Sequence, residues 1–354
     1  MNRPIKKMFF WFLATIKVHH FFRFINRKKI LIVMYHGVIK EKMPVSCWWQ
    51  LPFGQFKWQL EYLKKYYTVM RLRDVAQRIQ SGQGLPDNVA VITFDDGFEN
   101  NYSVAYPLLK QLNIPATIFL TTDLIGTDRL LWFDDLLMSF LGTKVKKIDL
   151  RDLGLNIFDL TTVKDKQKAF HIIEERLKTL KPDKKKGMID HIKNILSVQT
   201  VPVPYSGNFK LLSWEQVDLM NESGLIDWGG HTRTHEILSN LDDKALNDEI
   251  KGSCARVSKY APKLLFAYPN GRRQDFNERA KAVLKQLNVL CSLTTIEGLN
   301  SYVQDVYELK RVGIGDETTK DYFLLLCSGA IKSNHDFRPF KEKNQHSPSG
   351  RLHS

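Results

Sequence analysis

The residue types that could do chemistry gather at four short polar signatures, each following an apolar run. Asp95 and Asp96 close the run Val89–Phe94 and precede Gly97. Two adjacent carboxylates after a hydrophobic strand are costly unless a metal or another cation offsets them. Neighbouring side chains point apart, so one carboxylate can hold an ion while the other faces a substrate; the same residues also suit a solvated turn capping the next helix. The second signature, His231-Thr-Arg-Thr-His235, follows Gly229-Gly230. Its two imidazoles meet one ion if the segment forms a single helical turn, with chance spacing or local packing as the rival account. Thr232 stands where a zinc protease helix carries glutamate, so no adjacent base is supplied. Joined to Asp96, the two histidines make an Asp-His-His set with positions left for water and substrate. Residues 266–271, Phe-Ala-Tyr-Pro-Asn-Gly, read alone as a rigid turn with polar backbone groups. The fourth is His36, which ends the run 30–35. A lone histidine is more often a packing residue, but this one emerges where the other signatures converge.

The elements that must position these groups alternate. Apolar strand-like runs at 30–35, 89–94 and 116–120 are separated by helical stripes, among them Phe53, Phe56, Leu60 and Leu63, and the stretch 102–112. The alternation resumes at 226–229, 264–268, 289–293 and 307–312, with helices at 242–260 and 276–287. Ser213 and Gln216 form a capping-box pattern for a helix ending near Gly224. This rhythm is that of a mostly parallel sheet covered by helices, an α/β fold with its site at the strand C-terminal ends. Residues 129–210 break it. They read as a helical excursion, with helices at 132–141, 164–180 and 184–196, and its stretch 144–210 carries 15 lysines and arginines against 8 acids. A solvated insertion and an anionic docking face both account for that charge.

The composition fits a globular protein: 354 residues, 43% apolar and 25% charged. Four scattered cysteines make neither a disulfide scaffold nor a zinc knuckle, and suit a reducing compartment. A formal charge of +14 favours an anionic partner. The apolar run 8–16, flanked by Lys6, Lys7 and Lys17, is too short to span a bilayer and lacks a clear cleavage site. An interfacial membrane helix, an ordinary docked helix and an export signal remain its three readings. The expected organisation is therefore an aromatic amphipathic segment at 1–29, a barrel at 30–330 and a polar disordered tail at 331–354. The expected location is cytoplasmic, peripheral on the inner membrane face, with periplasmic export as the alternative.

Taken in order, the Asp-Asp-Gly, His-x-x-x-His and Tyr-Pro-Asn-Gly signatures resemble the first three motifs of the polysaccharide deacetylase, or NodB-homology, family. The resemblance implies a distorted (β/α)7 barrel and metal-dependent removal of N-acetyl groups from a polysaccharide or lipid-linked glycan. It implies Asp95 as catalytic base, and Asp96, His231 and His235 as ligands of one divalent ion, zinc by preference. It also implies an oxyanion region lined by Tyr268, Pro269, Asn270 and Gly271. The family's usual acid is a histidine near the C-terminal end, where this chain has only His335, in the polar tail. Exopolysaccharide deacetylases with a rearranged motif order take it from an N-terminal Tyr-His pair, which Tyr35-His36 resembles. The arginine that commonly orients the base in the third motif is replaced by Ala267. Arg311 in the last strand could reach the same carboxylate, or could be a structural arginine of the rim.

Two other function classes compete. A nucleic-acid binder rests on charge alone and lacks a reading helix or stacking surface, so no nucleic-acid partner is expected. A catalytically silent glycan-binding protein is suggested by Ala267, and a deacylase for another acylated amine would use the same residues.

Overall fold

Seven parallel strands close on themselves in the computed structural model, which describes residues 3–43, 45–197, 206–302 and 304–332. They are β1 (Leu31–Tyr35), β2 (Val89–Phe94), β3 (Ala116–Leu120), β4 (Ile226–Gly230), β5 (Leu265–Ala267), β6 (Cys291–Glu297) and β7 (Leu309–Gly313). Each pairs with its successor, and β7 returns to β1 through Val33 and Val312. β1 and β2 are buried along their whole lengths, which is why they read as continuous apolar runs rather than alternating ones. Helices α1 (Arg3–Thr15), α2 (Val18–Ile25), α3 (Phe53–Tyr66), α4 (Leu72–Ser81) and α5 (Tyr106–Leu112) belong to the first half. The chain then leaves the barrel through α6 (Trp132–Gly142), α7 (Val163–Leu177) and α8 (Pro182–Leu196). It returns with α9 (Trp214–Glu222), α10 (Asp243–Val257), α11 (Glu278–Gln286) and α12 (Lys320–Ser328).

Strand register decides what meets at the rim. Tyr35 pairs with Phe94, so the next residues, His36 and Asp95, leave the barrel side by side. Asp95 N–H still donates to Tyr35 O at 3.0 Å, extending that pairing by one step. Leu120 pairs with Gly230 and Phe266 also pairs with Gly230, which sets His231 beside Ala267. Gly97 has a φ of 79°, and a Cβ there would meet Leu120 Cδ2 at 2.7 Å, so the chain can turn this closely only without a side chain.

Several boundaries differ from those the sequence suggests. The stretch 102–112 is not one α-helix; it opens as a wide π turn, Asn101–Ala105, before α5. Such turns cluster at functional sites, and here Asn101 Nδ2 donates to His36 O at 2.7 Å. β6 begins at Cys291 rather than 289 and continues to Glu297, which pairs with Arg311 beyond an irregularity that the Thr294 hydroxyl spans by donating to Leu309 O. β7 starts at Leu309 because Asp305 caps a 3-10 turn over Val306–Glu308. The edge strand Thr68–Val69 and helix α4 are additions to the sequence reading. The capping box at Ser213 is present, with Gln216 N–H donating to Ser213 Oγ and Ser213 N–H to Gln216 Oε1. Between β3 and β4, α7 and α8 pack on α6, accompanied by the antiparallel pair Lys147–Asp149 and Ile157–Asp159. The tail reading at 331–354 falls almost wholly outside the described residues, as does His335.

Candidate active site

Asp95 enters the cavity fixed in a two-point ion pair. Arg311 Nη1 and Nη2 each donate to one carboxylate oxygen, both at 2.7 Å, and Arg311 Nε donates to Thr294 O at 2.8 Å. The fork geometry of guanidinium suits this planar grip, and Arg311 is fully buried. Burial alone pushes the Asp95 carboxyl up, but Arg311, with His231 and His36, holds it below the ordinary aspartate range. The carboxylate is therefore ionised and oriented.

Asp96 points the other way. Its Oδ1 lies 3.4 Å from His231 Nε2 and 3.3 Å from His235 Nε2, and it is buried without a hydrogen-bond partner among the described residues. One donor atom from each of Asp96, His231 and His235 lies within 4.8 Å of the other two. Burial pushes the Asp96 carboxyl up, yet the two imidazoles draw it far below its usual range. His231 moves oppositely: burial lowers it, but Asp95 and Asp96 raise it more. Such a pocket favours positive charge. The residues fit a divalent ion by three tests: an orphaned buried carboxylate oxygen, two imidazole nitrogens facing it, and a charge balance that a cation would complete.

The imidazoles are oriented from behind. His231 Nδ1 lies 2.8 Å from Ala267 O; a carbonyl only accepts, so Nδ1 carries a proton and Nε2 is the nitrogen turned toward Asp96. Ala267 thus serves the site through its backbone. The segment 231–235 is not the helical turn its spacing suggests. Thr232 and His235 have φ of 60° and 64°, and the loop is pinned to α10, where Glu249 accepts from Arg233 N–H and Thr234 N–H. Asp96, with φ of 73°, is likewise left-handed. Non-glycine residues in that conformation are costly, and held ones cluster where function needs them.

His36, Asp95, Asp96, His231, His235 and Asn270 line one cavity of about 280 Å³. The His36 ring lies edge-on to Trp48 at 5.0 Å, and burial lowers its proton affinity. Tyr268 does not line the cavity: its ring stacks on Phe276 at 4.2 Å, and its N–H is committed to Leu293 O at 3.0 Å. It cannot give that N–H to an oxyanion. Pro269 has none, and Gly271 N–H donates to Pro269 O at 2.6 Å. The third-motif donor that remains is Asn270, whose side-chain nitrogen is also buried without a partner among the described residues.

The opposite wall comes from the excursion. Glu174, Glu175 and Lys178 line the same cavity from α7 and the residue after it, together with Arg272. Lys178 Nζ lies 2.6 Å from Glu174 and 3.2 Å from Glu175, which also pairs with Arg272 at 3.2 Å. None of these residues belongs to the polar signatures that follow the apolar runs. Glu174 and Glu175 stand four and three residues before Lys178 on one helix face, a spacing that any solvated helix shares, so it does not mark a site.

Comparison with known proteins gives this arrangement a family. The polysaccharide deacetylase family matches residues 82–291. YxkH of Bacillus subtilis (strain 168) is 28% identical over 99 residues, 28% of this chain and only 34% of that protein's length. Among solved structures, the Streptococcus pyogenes deacetylase PplD in complex with acetate is similar at TM-score 0.55, with 19% identity over 84% of this chain and 98% of its own. IcaB from Ammonifex degensii is similar at TM-score 0.53, with 16% identity over 86% and 97%. At these identities the structural likeness speaks for the fold.

A metal-ready Asp-His-His cluster beside a buried, arginine-held aspartate, on the rim of a seven-stranded parallel barrel, defines the class. This chain belongs to the polysaccharide deacetylase family. Its Asp95, Asp96, His231, His235 and Asn270 fall inside the matched span, whereas His36 and Arg311 lie outside it.

Proposed function

We propose that the protein hydrolyses N-acetyl groups on amino sugars of a polysaccharide or lipid-linked glycan, releasing acetate. The observation that carries the reading is the pairing of two unlike carboxylates. Asp96 faces two imidazoles, and Asp95 is locked to Arg311 in the same cavity. Asp96, His231 and His235 would hold one divalent ion, zinc in this reading. When bound, the ion supplies Lewis-acid polarisation of the acetamide carbonyl and an acidified water. Asp95, ionised and aimed by Arg311, takes the proton of the attacking water. His36 hands a proton to the departing nitrogen, which leaves poorly as an amide anion. Asn270 offers the N–H for charge developing on the carbonyl oxygen. The wall of Glu174, Glu175, Lys178 and Arg272 presents donors and acceptors suited to sugar hydroxyls.

Arg311 weakens the case for a silent glycan binder, because the base-orienting guanidinium missing at Ala267 comes from the last strand instead. The test is a screen for acetate release from metal-loaded protein across N-acetylated glycans, lipid-linked sugars and other acylated amines. Release from amino-sugar amides is the expected result. Turnover confined to non-sugar amides would reassign the substrate, and binding without release would favour the silent protein.

A further inference from the structure

Helices α1 and α2 form a hairpin, turned at Lys17 with φ of 58°, that rests on α12. Phe10 packs on Tyr322 at 4.9 Å, Ala14 is buried, and Asn26 Nδ2 donates to Ser328 O at 2.9 Å. That contact uses one face of α1. The opposite face is also apolar. Ile5, Met8, Phe9, Phe12 and Ile16 recur at helical spacing and all stay exposed, and Trp11 beside them is 57% exposed. On α2, Phe21, Phe24 and Ile25 repeat the pattern, with Phe24 at 65%. An aromatic surface this continuous on a folded chain marks a docking site rather than ordinary surface scatter.

The charge around it selects the occupant. Lys6, Lys7, Lys17 and Lys29 are exposed at its borders, with Lys28 beside them in an ion pair with Asp87. The first 40 residues contain no aspartate or glutamate. A second copy would bring the same basic rim against itself, since a two-fold interface pairs a patch with its own image. An anionic lipid surface offers the complement: apolar depth for the aromatic stripe and negative headgroups for the lysines. Spanning is not available to this hairpin, because no described helix is long and apolar enough to cross a membrane. We propose that the outer face of the α1–α2 hairpin lies in the headgroup region of an anionic bilayer, holding the barrel at the membrane surface. This inference stands apart from the reaction chemistry and survives if the substrate reading fails.

The experiment is sedimentation of the full chain with vesicles of phosphatidylcholine alone or mixed with phosphatidylglycerol. Two variants accompany it, Met8→Ser/Trp11→Ser/Phe12→Ser/Phe24→Ser and Lys6→Gln/Lys7→Gln/Lys17→Gln, with circular dichroism and light scattering as controls. Since each basic residue near an anionic surface is worth roughly fivefold in affinity, the lysine variant, lacking three, should bind the mixed vesicles weaker by on the order of a hundredfold. The apolar variant should lose binding to them, and rising salt should release the wild type. Equal partition of the wild type between the two vesicle types, or none with either, would overturn the proposal. So would a wild-type dimer that the apolar variant converts to monomer without vesicle binding, which would assign the face to a second copy. The wild-type salt and lipid dependence decides the matter even if a variant fails to fold.

Discussion

Arg311 and Asp95, 216 residues apart, meet through two parallel hydrogen bonds of 2.7 Å inside the barrel rim. The pair closes the barrel chemically where β7 closes it topologically. β1 lies between β2 and β7, so the guanidinium of one strand reaches the carboxylate that follows the other. Such a pair is not retained for net stability alone, because taking both charges out of water costs several kcal/mol. Its effect is to keep one carboxylate ionised, in one orientation, beside the buried cluster of Asp96, His231 and His235.

Arg311→Lys should therefore keep the charge and lose the grip. We expect turnover to fall by roughly 10²-fold, the scale of a reacting group misplaced by about 1 Å, with metal content unchanged. Arg311→Gln should go further. Without the guanidinium the Asp95 carboxyl rises, so the ionised base is lost at higher pH and the acid-side limb of kcat/KM moves upward. Kinetics across pH on both variants check this. An unmoved limb in a folded Arg311→Gln would show that Arg311 does not govern the base.

His36→Ala should retain metal and fold, since His36 belongs neither to the Asp-His-His cluster nor to the apolar core. Turnover should drop by roughly 10²–10⁴-fold, as for removal of a positioned acid. The loss should shrink for substrates whose leaving amine is less basic. A uniform loss across leaving groups would point to a binding role instead.

Much of this site was legible in sequence because its residues sit one step past apolar strands. Val89–Phe94 announces Asp95 and Asp96, the run ending at Tyr35 announces His36, and Gly229-Gly230 announces the two histidines. What stayed hidden depends on backbone that spacing does not encode. The His231–His235 separation suggests a helical turn, but the two imidazoles meet through left-handed residues and a clamp from Glu249. Tyr268 looks like a site residue by motif, yet its N–H is spent on the neighbouring strand. The α7 wall is invisible for a different reason: Glu174, Glu175 and Lys178 have the composition of any solvated helix face, and only the path of the excursion turns them toward the cavity.

That wall carries a pH dependence of its own. Burial pushes Glu175 up, but Lys178 and Arg272 outweigh it and hold the carboxyl down at about 2. A depressed carboxyl contributes stability above its ordinary value of 4.5, and that contribution drains away as pH falls toward about 2. Glu175→Gln lacks it throughout. The stability gap between wild type and variant, measured by denaturant unfolding, should thus narrow as pH drops from about 4.5 to about 2. A gap constant over that window would mean the ion pairs do not hold α7 in place.

The most direct test couples metal to acetate. The protein, stripped with chelator and titrated with zinc, is assayed on an N-acetylglucosamine oligomer while bound metal and released acetate are counted together. Acetate release should be absent from the stripped chain, should rise with occupancy and should level off at one ion per chain. His231→Ala should bind little metal and release none. Full turnover by the stripped protein, or full metal occupancy in His231→Ala, would contradict the account.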